Sequence, residues 1–413
     1  MQSNNDIFIF NGYAVNFVEG KTQFFYTAAR RGKKIDFCET ILFPSQNRKK
    51  TPPQELLDIL FKNLLLILGI SYWKTYCPRT IIIKDNWLTE KQAEFWNVVY
   101  TKGLGEFFYK NKIDFRKRVR FPYVSKNGGR SIAFPLSDRS LLLFGGGKDS
   151  IVSGELLRRM RKQFSAFSVN DYALQKDTAK ILKAPHLVLQ RKIDPRLLAL
   201  NEGGGVYNGH VPASAIYAFF GLLAAVLYDF QYIVASHEKS ASVGNVFYCG
   251  REINHQWSKS HEFEKMFCQY VKQYITPDVR YFSLLRSFDE LSITALFSRF
   301  KKYFPVFSSC NANFRIQNKS KKRWCGACPK CAFVFAALAA YIPKREIVGI
   351  FNKNLFADAS LIPSYEALLG VRGIKPFECV GTPREVKRAF FRIIKRGEFN
   401  GDAVLSHVRR NFL

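Results

Sequence analysis

The rhythm of apolar and polar positions changes twice along the chain. Residues 1 to about 135 hold short strand-like stretches (Ile7–Phe10, Lys21–Thr27, Thr80–Lys84) and one helix-like run, Glu55–Leu68. They predict an α+β accessory domain over 1–135 and carry no catalytic motif. A turn-rich stretch, Ser125–Arg130, followed by Pro135, marks the boundary. From Ser140 the pattern becomes regular. Leu141–Phe144 is a continuous apolar run, as a strand buried on both faces of a parallel sheet requires. Helical spacing over 151–161 follows, then strand 164–169, helix 174–182, strand 186–189, helix 213–228 and strand 232–235. This alternation predicts a doubly wound α/β sheet over 139–345. The remainder, 346–413, reads as a small helical segment. Thr382, Pro383 and Glu385 spell a helix start, with Thr as N-cap, Pro at the first position and Glu at the third.

The sharpest local feature lies between the first buried strand and its helix: Gly145-Gly146-Gly147-Lys148-Asp149-Ser150. Three glycines there let backbone N–H groups approach an anion, and the helix N-terminus adds partial positive charge. A Walker A loop is excluded, because Asp149 follows the lysine and Leu142 stands where the first glycine belongs. The segment resembles the PP-loop of the ATP pyrophosphatases, Ser-Gly-Gly-x-Asp-Ser, with Gly145 in place of the first serine. That resemblance implies a PP-loop (HUP-like) fold that holds the β,γ-pyrophosphate of ATP on Gly145, Gly146, Gly147, Lys148, Asp149 and Ser150. Asp149 would help organise Mg2+, since displacing pyrophosphate needs its charge spread. By fold analogy the adenine is expected at the end of the next strand, near Asn170 and Asp171.

A second cluster is Cys325-Gly326-Ala327-Cys328-Pro329-Lys330-Cys331, with Cys310 upstream. Four thiolates at this spacing suit a tetrahedral structural Zn2+; an iron–sulfur cluster uses the same ligands and is the less favoured alternative. A similar cluster closes the 7-cyano-7-deazaguanine synthases, which also carry a PP-loop.

Composition narrows the class. Lys plus Arg number 63 against 33 Asp plus Glu, a net charge of +30, and 39 phenylalanines help make the chain 47% hydrophobic. That is too apolar for a disordered chain. The longest apolar run, Ala215–Tyr228, falls short of the roughly 20 residues a membrane span needs. Met1–Asp6 shows no export signal, so the cytoplasm is the expected compartment. The surplus positive charge invites nucleic acid, but the basic runs (Arg116–Arg120, Lys319–Arg323, Arg384–Arg396) are scattered and no nucleic-acid-reading motif accompanies them.

The segments Asn208–Ala213, Ala235–Asn245, Asn254–Glu264, Cys310–Phe314, Trp324–Cys331 and Cys379–Gly381, taken with the glycine loop, look like those of the MurL-type UDP-N-acetylmuramoyl-L-alanyl-L-glutamate epimerases. The resemblance spans about residues 140–381. It implies ATP-dependent inversion of the terminal L-Glu of UDP-MurNAc-L-Ala-L-Glu, with AMP and pyrophosphate released. An α-proton beside a free carboxylate is barely acidic, because its removal makes a dianion; adenylating the carboxylate brings it within reach of a side-chain base. The candidate acid/base residues are His237, Glu238, His255, His261 and Glu262. His237 and Glu238 are favoured because they follow a predicted strand end. His210 could order the substrate loop; Ser236, Ser240, Ser242 and Asn245 could donate hydrogen bonds; Lys239 and Lys259 could pair with substrate anions. The rival reading is a PP-loop enzyme that modifies transfer RNA or a deazapurine precursor.

Overall fold

The computed structural model describes residues 6–45, 50–314 and 322–412; Met1–Asn5, and Lys319 and Lys321 of one basic run, lie outside them. The described strands are β1 (Ile7–Asn16), β2 (Lys21–Arg30), β3 (Lys33–Leu42), β4 (Thr80–Ile83), β5 (Ser140–Leu143), β6 (Phe164–Val169), β7 (His186–Lys192), β8 (Tyr232–Ala235), β9 (Val246–Tyr248), β10 (Arg251–Ile253) and β11 (Arg280–Ser283). The helices are α1 (Gln54–Trp73), α2 (Glu90–Gly103), α3 (Gly105–Lys110), α4 (Lys148–Arg159), α5 (Ala173–Leu182), α6 (Pro195–Gly203), α7 (Ala213–Tyr228), α8 (His261–Tyr274), α9 (Glu290–Phe297), α10 (Pro329–Ala339), α11 (Lys344–Phe351), α12 (Ile362–Leu369), α13 (Pro383–Arg396) and α14 (Ala403–Phe412).

Nine strands form one sheet, in the order β11-β8-β5-β6-β7-β3-β2-β1-β4. The five strands from β11 to β7 are parallel, as the alternation of strands and helices predicts. The expected separation at residue 135 is not seen in the sheet. Thr40–Leu42 of β3 pair antiparallel with Gln190–Lys192 of β7, so the amino-terminal meander continues the α/β sheet. The seam carries a buried ion pair, Arg191 Nε to Glu39 Oε1 at 2.6 Å. The sequence reading missed β3 because charged and apolar residues mix along it.

Alternate residues of the central strands feed two cores, the period-2 consequence of a pleated strand. Leu141 and Ile233 join a cluster with the meander, α1, α2, α7 and α8. Leu142 and Val234 join the other, built from α4 and α9 to α14. The carboxy-terminal helices therefore cover one sheet face. The capping box at Thr382 forms as predicted, with Gly397 closing α13 in a left-handed conformation. The longest apolar helix is α1 rather than α7. It is twenty residues long and apolar enough by composition to cross a membrane, yet 83% of its apolar window is buried inside the protein.

Candidate active site

Parallel strands place their carboxyl ends at one edge, and the loops there bound a cavity of about 470 Å3. The glycine loop forms its floor. Gly146 has φ +74°, and a Cβ on it would sit 3.0 Å from Leu174 Cγ and 3.1 Å from the Leu174 carbonyl oxygen. A Cβ on Gly147 would sit 2.8 Å from Ser309 Oγ. Gly145 differs: nothing lies within 4 Å of a Cβ there, so space does not dictate the departure from serine. Gly145 and Gly147, with Asp149 and Ser150 in the first turn of α4, border the cavity. This is a cradle that fits a phosphate chain.

Lys148 does not reach the cavity surface. It is fully buried and pairs with Asp149 Oδ1 at 2.5 Å and with Glu290 on α9. Burial opposes its charge, but the two carboxylates outweigh burial and hold its ammonium above the ordinary lysine value. The reverse balance acts on Glu290, which burial and the nearby carboxylates of Asp149 and Glu238 push up to about 7 against the pull of Lys148. Asp149 is held low: Lys148, Lys330 and Lys259 overcome its burial. Lys148 thus anchors the loop to α9.

The expected adenine residues are displaced. Asn170 takes a left-handed conformation, and its Oδ1 accepts the Arg191 N–H at 2.8 Å, at the start of the seam. Asp171 is exposed. Ser168, Val169, Tyr172 and Tyr217 border the cavity instead.

The favoured acid/base pair is split. His237 borders the cavity, with its main chain clamped by Ser283 Oγ at 2.7 Å on both N–H and carbonyl. Burial, with the cations Lys259 and Arg286, holds its imidazole well below the ordinary value, so it is neutral. Glu238 is buried and not at the cavity wall. Ser236, His210, His255 and Lys259 border the cavity. Ser240 is engaged by Glu385, and Asn245 by the Lys375 and Pro376 carbonyls. Ser242, His261 and Glu262 line a separate cavity behind the wall, while Lys239 is exposed.

Sequence reasoning did not single out Cys379, which borders the cavity. Lys259 Nζ lies 3.1 Å from its Sγ, and His255 Nε2 lies at 4.0 Å. The other nitrogen of His255, Nδ1, meets Glu106 on α3, which also faces His210 at 3.3 Å and Lys110. Burial pushes the Cys379 thiol up, but Lys259, His255 and Lys330 outweigh it and bring the value down to about 6. Burial opposes the His255 cation, but Cys379 and Glu106 outweigh it and raise the imidazole to about 9. Cys379, His255, Lys259, His210 and Lys330 fell within the segments that carried the resemblance and Glu106 and Lys110 did not, and no local spacing linked any of them to the others.

The four cysteines do converge. The Sγ atoms of Cys310, Cys325, Cys328 and Cys331 lie within 4.8 Å of one another, with Cys325 and Cys331 3.7 Å apart. A tetrahedron with metal–sulfur bonds of about 2.3 Å has edges of about 3.8 Å, so the cluster fits a metal ion. The knuckle also shapes the cavity. Ser308, Ser309 and Asn311 flank Cys310, and Lys330, between two of the cysteines, borders the cavity and donates to the Cys379 carbonyl.

Comparison with known proteins agrees with this layout. Residues 1–284 match the MurL N-terminal domain and residues 306–412 the MurL C-terminal domain. A UDP-N-acetyl-alpha-D-muramoyl-L-alanyl-L-glutamate epimerase of Xanthomonas oryzae pv. oryzae is 39% identical over 91% of this chain and 84% of its own length. Proteins of the same name from Micromonospora sp. and Salinispora tropica are 38% and 36% identical, over 92% and 96% of this chain and 85% and 86% of theirs. A solved structure described as a predicted subunit of tRNA methyltransferase from Methanocaldococcus jannaschii aligns with 40% of this chain and 76% of its own at 18% identity. Its TM-score of 0.26 is too low to carry an argument. With relatives matched across nearly its whole length and both family domains in order, the chain belongs to the MurL family of UDP-N-acetyl-α-D-muramoyl-L-alanyl-L-glutamate epimerases.

Proposed function

We propose that the chain inverts the terminal L-Glu of UDP-MurNAc-L-Ala-L-Glu by adenylating its α-carboxylate with ATP, releasing AMP and pyrophosphate, as a cytoplasmic step in peptidoglycan precursor synthesis. The observation that carries the reading is the shared cavity: the glycine loop opens onto the same space as Lys259, Lys330, His237 and Cys379. An anion cradle and a proton-transfer cluster at one site suit a reaction that first activates an acid and then moves its α-proton.

In this reading the N–H groups of Gly145 to Ser150 hold the β,γ-pyrophosphate. Tyr172 and Tyr217 offer aromatic faces to the adenine beside Ser168 and Val169. Asp149 would hold Mg2+, which when bound spreads the charge of the leaving pyrophosphate. Lys259 and Lys330 lie where a substrate carboxylate and the developing charge on its acyl oxygen need cations. The cysteine knuckle takes structural Zn2+, because all four positions of a tetrahedron are filled by protein thiolates and none is left for substrate.

The test is one incubation in D2O of protein, ATP, Mg2+ and UDP-MurNAc-L-Ala-L-Glu. AMP together with D-Glu product deuterated at Cα is the expected result. Absence of both AMP and Cα exchange, from folded and metal-loaded protein, overturns the reading and directs attention to transfer RNA and deazapurine substrates.

A further inference from the structure

We propose that Cys379 is the base that removes the glutamyl α-proton, acting as a thiolate held between Lys259 and a histidine that Glu106 orients. The inference rests on the adenylation reading above, since only an activated carboxyl group makes that proton accessible to a thiolate.

The geometry is that of a built proton-transfer group. Cys379 borders the reaction cavity, with its Sγ 3.1 Å from the Lys259 ammonium and 4.0 Å from His255 Nε2. Glu106 accepts from His255 Nδ1, so the imidazole presents Nε2 to the sulfur. These groups come from α3, from the loop before α8 and from the segment before α13, and packing of apolar side chains alone does not bring a carboxylate, a histidine, a lysine and a thiol to one cavity wall. Independently, the Gln256 amide oxygen at the same wall is buried without a hydrogen-bond partner, and the residue is only 2% exposed. A buried carbonyl of that kind awaits a donor, which a peptide ligand's N–H supplies. A purely structural cysteine is favoured as a neutral thiol, whereas Lys259, Lys330 and His255 all favour the anion here.

The step balances without any group beyond those named. The Cα–H bond breaks, its electron pair passes into the acyl carbonyl, and an S–H bond forms on Cys379. Water delivers a proton to the opposite face of Cα, and the hydroxide left behind takes the thiol proton through His255. Glu106 is a positioning residue, because it meets His255, His210 and Lys110 and does not border the cavity.

The experiment uses the full chain with ATP, Mg2+ and UDP-MurNAc-L-Ala-L-Glu in D2O, and reads ATP–pyrophosphate exchange and Cα deuteration separately. Cys379→Ala and Cys379→Ser are expected to retain ATP–pyrophosphate exchange while Cα deuteration falls about 100-fold or more, the scale of general base catalysis. Cα deuteration in Cys379→Ala at the wild-type rate overturns the proposal. So does a covalent acyl adduct on Cys379 in acid-quenched wild-type protein, because a thioester assigns the sulfur a different role. If neither variant folds, wild-type protein alkylated with iodoacetamide and mapped at Cys379 decides: lost Cα deuteration with ATP–pyrophosphate exchange intact supports the base, and full deuteration overturns it. A wild-type protein that deuterates Cα without substrate-dependent ATP–pyrophosphate exchange refutes the adenylation reading, and with it the activated acid on which this step depends.

Discussion

At the scale of single residues, charge around one sulfur governs the expected pH behaviour. Cys379 lies at about 6 and His255 at about 9. The base is the thiolate, so Cα exchange should fall as pH drops through about 6. Above about 9 His255 loses the proton that shares the thiolate's charge, and exchange should decline again. The other charged groups near the sulfur are Lys259, Lys330 and Lys375, with Glu378 adjacent in sequence. A pH profile of Cα deuteration checks this bell shape. Glu106→Gln should move the acid limb to higher pH, because an imidazole without its carboxylate is less often cationic and supports the thiolate less. A role for Glu106 in folding alone would lower activity without moving that limb. The glycines make a second prediction. Gly146→Ala forces φ +74° on a residue with a Cβ and should cost about 1–3 kcal/mol, read as a loss in unfolding free energy alongside weaker ATP–pyrophosphate exchange.

At the scale of elements, two devices hold the site's pieces in register. Lys148 ties the glycine loop to α9, and Lys148→Met would leave the buried Glu290 carboxylate, with the half-buried Asp149 beside it, without its cation. Urea unfolding should show a loss of about 3–5 kcal/mol, the usual penalty for breaking a buried pair from one side. Glu385 links two helices: it closes the capping box of α13 with Thr382, and it accepts at 2.7 Å from the N–H of Glu290, the first residue of α9. The same scale shows what the sequence discloses. β5, β6 and β8 and helix α7 are legible as apolar runs between turns, and the glycine loop and cysteine knuckle are legible as spacing. Local spacing does not reveal Lys148 as an anchor, since only the fold puts Glu290 opposite it, 142 residues away in sequence. Cys379 sits alone in its segment and draws its meaning from partners 120 and 124 residues distant. Asn170 looked like an adenine ligand because it follows β6, yet the β3–β7 seam claims its side chain.

At the scale of the whole molecule, the cysteine knuckle and the continuous sheet make the strongest demands. Stripping metal with a chelator, or Cys328→Ala, should lower the thermal midpoint and also weaken catalysis, because Ser308 to Asn311 and Lys330 are cavity walls fixed by the knuckle. Metal content measured beside the melting curve checks the link. Residues 136–413 alone should fail to give a cooperative unfolding transition. Removing the meander strips α1 and α2 from a core they share with α7 and α8, and bares the edge of β7. Glu106, on α3, carries the amino-terminal part of the chain to His255 and His210, so the attachment of that part serves the proposed chemistry as well as the core. The sheet has a mechanical corollary. Nine strands bonded edge to edge join the meander and the parallel strands in one plate, so these two parts do not close on a substrate like jaws hinged between them. Closure over a bound substrate would then fall to the segments that border the cavity off the sheet, among them His255 to Lys259 and the stretch before α13. Hydrogen exchange on substrate binding would register there, leaving the plate itself unchanged.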